Sequence, residues 1–113
     1  MKEKFDVVFL ENAIQFIENL DEKSRNKIFY NIDKAKYVND PKLFKKLTDN
    51  IWEFRTKYSG LQYRLFAFWD KSDDKETLVI STHGMIKKVD KVPKGEIEKA
   101  EKLRTEYLKN SKK

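Results

Sequence analysis

Arg55 and Arg64 are the residues of this chain best placed by type and spacing to do chemistry. They flank Ser59-Gly60, each in a stretch that alternates aromatic or branched residues with polar ones: Ile51 to Tyr58 before the break, Leu61 to Trp69 after it. Two such runs around a break that contains Gly read as a β-hairpin. A two-residue loop predicts a type I′ or II′ turn. Tyr58 then opposes Leu61, and counting outward sets Arg55 against Arg64. Like charges directly opposite one another destabilise a sheet, less so when something anionic sits between them. A guanidinium is a planar fork that grips phosphate oxygens in pairs, so the facing arginines could clamp one phosphate. The bland counterpart is a structural ion pair of Arg55 with Glu53 or with an acidic helix residue.

The same alternation sorts the rest of the hairpin. Trp52, Phe54, Thr56 and Tyr58, with Leu61, Tyr63, Leu65, Ala67 and Trp69, form an apolar face that should be buried. The other face carries Glu53, Arg55 and Lys57, with Gln62, Arg64, Phe66 and Phe68. It reads either as ordinary wet surface or as a binding face on which Lys57 holds phosphate and Phe66 and Phe68 stack a base. The C-terminal helix could instead cover the two phenylalanines. Lys87, Lys88 and Lys91, just past the last predicted strand, could hold neighbouring phosphates or form a solvated loop. His83 has the natural pKa for proton transfer at neutral pH. Simple alternation puts it with Thr77, Val79 and Ser81, on the less apolar side of its strand, although a histidine there could equally bond backbone. Glu53 is a second candidate base. A lysine whose pKa is depressed by neighbouring cations is a third. The residues alone do not choose among them.

The chain has 113 residues, so 1–113 reads as a single domain. Its formal net charge is +6 with a pI near 9.4, a balance that favours polyanionic partners such as nucleic acid or an acidic protein. It has no cysteine, which removes disulfides, thiolate zinc sites and cysteine nucleophiles. One histidine makes a histidine-based metal site improbable. Neither a metal nor another cofactor is expected. No apolar run approaches a membrane span and no secretory leader stands out, so a soluble, cytoplasmic protein is expected.

The elements that must position these residues follow from periodicity. Phe5 to Leu10 reads as a first strand. Asn12 can cap a helix carrying Ala13, Phe16, Ile17 and Leu20, and Asp21 or Ser24 can cap a second with Ile28, Phe29, Ile32 and Ala35 on one stripe. Leu43, Phe44 and Leu47 suggest a helical turn or two. After the hairpin and a polar loop, Thr77 to Thr82 reads as a further strand with His83-Gly84 at its end. Pro93 suits the start of a last helix bearing Ile97, Ala100, Leu103 and Tyr107. The tail 109–113 is expected to fray. The order β, α, α, β, β, β, α argues for an α+β fold, an antiparallel meander with helices packed on one sheet face.

That order, with three pieces of sequence, resembles the RelE/ParE superfamily of small bacterial toxins, and most of all its HigB-type branch of phage-derived host-inhibition proteins. The pieces are Leu47 to Arg55, ending Ile51-Trp52-Glu53-Phe54-Arg55; Gly60 to Phe66, with Tyr63-Arg64; and Thr82-His83-Gly84-Met85-Ile86-Lys87-Lys88, followed by Lys91, Pro93, Glu96, Ala100 and Tyr107. The resemblance covers nearly the whole chain. It implies a RelE-like fold and the toxin of a type II toxin–antitoxin pair. The activity implied is a ribosome-dependent, metal-independent mRNA endonuclease that inhibits translation, silenced by a cognate antitoxin of helix-turn-helix type. Arg55, Arg64, His83 and Lys87 are then expected to be catalytic, and Lys57, Phe66, Lys88 and Lys91 to bind RNA. The alternatives are a non-nuclease toxin of the ParE kind, which inhibits gyrase, and an inactive regulatory homologue, because fold alone does not settle function.

Overall fold

The structure, a computed structural model, describes residues 2–72, 77–88 and 91–111. Expectations that fall on residues 73–75, 89–90 and 112–113 lie outside these. The elements in chain order are β1 (Asp6–Phe9), α1 (Glu11–Glu18), α2 (Glu22–Ala35), β2 (Phe44–Lys46), β3 (Trp52–Tyr58), β4 (Leu61–Asp70), β5 (Leu78–Lys87) and α3 (Lys94–Ser111). The five strands form one mixed sheet in the order β1-β5-β4-β3-β2. β1 runs parallel to β5, and the other neighbours are antiparallel. The α+β class stands.

The hairpin has the expected register: Tyr58 opposes Leu61 and Arg55 opposes Arg64. Ser59 and Gly60 both have positive φ, at 51° and 79°, as a type I′ turn requires. That turn twists with its strands, and it locks every cross-strand partner on either side. The apolar face of the hairpin is buried at its centre, while Trp52, Tyr58 and Trp69 are half-buried and Leu61, beside the turn, is exposed. Phe54, Tyr63, Leu65 and Ala67 pack with Ala13 and Ile17 of α1 and with Ile28 and Ile32 of α2. Asp21 caps α2, accepting from the Ser24 amide at 3.2 Å and from its hydroxyl at 2.6 Å. α1 begins at Glu11, two residues earlier than a cap at Asn12 would place it, with Leu10 at its N-terminal boundary and no side-chain cap.

Four expectations are corrected. Leu43, Phe44 and Leu47 do not build a helical turn; Phe44–Lys46 is an edge strand against β3. Its three residues are too few to show a period, and stacking of Phe44 on Phe54 at 4.3 Å and on Trp52 at 4.8 Å holds it there. β5 does not stop at Thr82 but runs to Lys87, because β4 continues beside it and supplies Gln62 to Phe66 as partners. The helices do not share one face. α1 and α2 cover one side, while Ala100, Ile97 and Tyr107 of α3 close a second core over Ile51, Phe66, Phe68 and Ile80 on the other. Finally, α3 continues through residues 109–111, which had been expected to fray. No helix of the described residues is long and apolar enough to cross a membrane.

Candidate functional site

Register places the candidate side chains in three rows across the face that α3 partly covers. One row is Lys45, Glu53, Phe66 and His83; the next is Arg55, Arg64 and Met85; the last is Lys57, Gln62 and Lys87. α3 lies over the first row at Phe66 and His83, and toward the hairpin turn Arg55 is partly exposed and Lys57 exposed.

The anion between the two arginines belongs to the chain itself. Glu53 Oε1 lies 3.3 Å from Arg64 Nε, and Glu53 Oε2 lies 3.5 Å from Arg55 Nε. Glu53 is 3% exposed and Arg64 1%. Arg64 also donates from Nη2 to Gln62 Oε1 at 2.7 Å and from Nη1 to the Tyr63 carbonyl at 3.1 Å. It is thus a buried, internally partnered cation, and this corrects the expectation of an exposed two-arginine clamp. Arg55 differs. Its side chain keeps 28% of its surface and, besides the ion pair with Glu53, donates from Nη1 to the Pro41 carbonyl at 3.3 Å. Burial pushes the Glu53 carboxyl above its ordinary pKa, and Arg64, Arg55, Lys87 and Lys45 pull it back. Burial likewise lowers Arg64, against the pull of Glu53.

His83 reaches this face by a different route from simple alternation. Phe66 opposes His83 while Ala67 opposes Ser81, so Thr82 is an extra residue in β5. Such a bulge shifts the alternation by one. His83 therefore sides with Ile80 rather than with Val79, beneath α3 and 2% exposed. Its Nδ1 shares a hydrogen bond with Thr82 Oγ1 at 3.1 Å, and its Nε2 lies 3.5 Å from Glu96 Oε1. Burial lowers its pKa, with Glu96 opposing, and its ring centroid lies 4.9 Å from that of Phe66.

Base stacking by Phe66 is corrected as well. Phe66 and Phe68 are both 0% exposed, packed into the core under α3, and offer no ring face to a base. The cations of this face, the buried Arg64 included, are arranged otherwise. Arg55, Lys57 and Arg64, with Lys42 and Thr56, line a pocket of about 220 Å³ at the open end of the face. Lys87, half-buried at the end of β5, adds its field to Glu53 from across the sheet. Lys88 and Lys91 are exposed beyond β5 and are not among the residues that line the pocket. Sequence reasoning missed Lys42 and Lys45. The available signal was the Lys-Leu-Phe-Lys-Lys run at 42–46, whose strand character becomes visible only against the Phe54 and Trp52 rings.

This arrangement can hold a small anionic group. The pocket is below the roughly 300 Å³ at which pockets for drug-sized ligands begin, and every charged group that lines it is a cation. Residues 15–105 match the family model described as Phage derived protein Gp49-like (DUF891). No curated protein matches the chain.

Proposed function

The chain belongs to the Gp49-like family of phage-derived proteins, within the RelE/ParE-like toxin superfamily, and on that premise we propose that it is the toxin of a type II toxin–antitoxin pair, of the HigB-type branch, acting in the cytoplasm as a metal-independent mRNA endonuclease on the ribosome. The observation that carries the reading is the cationic pocket at the open end of the sheet face, lined by Lys42, Arg55, Thr56, Lys57 and Arg64.

Metal-free RNA cleavage needs the 2′-hydroxyl brought in line with phosphorus, charge stabilised on the phosphorane-like transition state, and two protons moved. In this reading Arg55 and Lys57 hold the scissile phosphate, and Lys42 and Lys87 hold its neighbours. Arg64 acts from behind, as a buried charge that keeps the local potential positive. His83 and Glu53 are buried, so neither meets substrate in this conformation. Proton transfer falls to Lys87 or Lys57, with the ribosome presenting the message. A cognate antitoxin of helix-turn-helix type would silence the protein by covering the same basic surface.

The test is induction without antitoxin, followed by mapping of mRNA 5′ ends. New ends inside translated messages, lost in Arg55→Ala, support the reading. Growth arrest with no new ends and an induced SOS response would replace it with the gyrase-inhibitor reading. Harmless expression would point to the inactive homologue.

A further inference from the structure

The pocket beside Arg55 already has an anion at its back. Arg55 and Arg64 line the pocket, and they are also the two cations on Glu53. The contacts to Glu53 are loose. Among the described residues, Glu53 Oε1, Arg55 Nε and Arg64 Nε are buried atoms with no hydrogen-bond partner, although they lie 3.3–3.5 Å from one another's charged groups. A well-made N⁺–H···O⁻ bond is about 2.7–2.9 Å long. Glu53 therefore balances charge without satisfying the donors. The two arginines then part company. Arg64 is fixed by Gln62 and by the Tyr63 carbonyl and is almost wholly buried. Arg55 is more than a quarter exposed, and its contact with Pro41 O is long at 3.3 Å.

We infer that Glu53 is the resident counter-ion of a phosphate site: it occupies Arg55 while the pocket is empty, and an incoming phosphate group takes Arg55 from it while Arg64 stays with Glu53. The inference rests on the pocket taking phosphate, as proposed above, and not on any cleavage. Its chemical consequence is a charge threshold. A singly charged group offers Arg55 no more than Glu53 already does. A phosphate dianion, or a run of phosphodiesters that engages Lys42 and Lys57 as well, offers more. The site is thereby kept from trapping the carboxylates of acidic proteins, which its cations would otherwise attract.

Inorganic phosphate is the probe, followed by calorimetry and by ¹⁵N NMR of the arginine Nε signals in the intact protein. In the wild type, the Arg55 Nε resonance should move on phosphate addition while the Arg64 resonance stays. Glu53→Gln, which keeps shape and removes the competitor, should bind phosphate at least about tenfold more tightly, the effect of one unit charge removed a few ångströms away even at the dielectric of bulk water. Glu53→Asp, which draws the carboxylate back by one methylene, should tighten it less, and it serves if the glutamine variant does not fold. Acetate should bind the wild type much more weakly than phosphate does. Unchanged or weakened phosphate affinity in a folded Glu53 variant overturns the inference. So does acetate binding equal to phosphate, or movement of Arg64 together with Arg55. Phosphate binding that behaves as described in a protein that cuts no mRNA would retire the nuclease reading and leave this one standing.

Discussion

At the scale of single residues, Arg55 and Arg64 look alike in sequence and differ in every physical respect that matters. Their opposition was legible, because a two-residue turn fixes the register outward from Ser59-Gly60. Their division of labour was not, since alternation gives the two arginines the same face, and only tertiary packing buries Arg64 while leaving Arg55 partly exposed. Removing one member of a buried pair leaves the other charge uncompensated, at about 3–5 kcal/mol. Arg64→Ala is therefore expected to destabilise the fold by about that much in urea unfolding. Arg55→Ala, at a partly exposed and screened position, should cost under about 1 kcal/mol. Equal losses for the two would mean that Arg55 is structural too. His83 makes a pH prediction. Burial lowers its folded pKa below the ordinary 6.5, so as pH falls through that value the unfolded chain takes up the proton first and stability is lost until the folded pKa is passed. Glu53 runs the other way: its raised pKa costs stability as pH rises above the ordinary 4.5. The thermal midpoint of the wild type should thus fall more steeply between pH 7 and pH 5 than that of His83→Gln, which keeps Glu53 and lacks the imidazole. Parallel pH curves would show that His83 contributes nothing.

At the scale of elements, two local features decide what the face presents. The first is the bulge at Thr82, which carries His83, Met85 and Lys87 to the α3 side. Nothing in the residues marks it, and this is why counting by twos misplaced His83 relative to Val79. The second is Gly84. With the alternation shifted, it faces α1, and a Cβ there would land inside the Phe16 ring. Gly84→Ala should force α1 away from β5 and cost about 1–3 kcal/mol, in the range of core overpacking, as read by thermal unfolding. A midpoint unchanged from wild type would show that Phe16 can turn aside freely. The helices themselves were legible from their 3.6-residue stripes, as was the strand-rich centre. The short strand β2 was not, because three residues held by aromatic stacking carry no periodic signal.

At the scale of the whole molecule, the charge of +6 was plain from composition, and the gathering of Lys42, Arg55, Lys57 and Arg64 around one pocket was not. That distinction has a measurable form. Binding to single-stranded RNA releases counterions in proportion to the phosphates neutralised, with a slope in log K against log salt of about −0.7 per contact. In fluorescence anisotropy with a short RNA across a salt series, Lys57→Ala should flatten that slope by roughly 0.7, whereas a lysine outside the face, such as Lys34 on α2, should leave it nearly unchanged when replaced. An equal effect from both would mean that only the overall charge matters. The sheet order has a different consequence, one of timing. β1 pairs with β5 alone, Asp6 beside Leu78 and Phe9 beside Ser81. The strand made first must wait for the strand made last. The partners are 72 residues apart, Asp6 to Leu78 and Phe9 to Ser81, a delay of roughly 4–14 s at about 5–20 residues per second of synthesis. Through that interval the nascent chain carries a β-strand and two helices whose shared apolar side has no sheet to close on, so chaperones and proteases meet the molecule before its basic face exists.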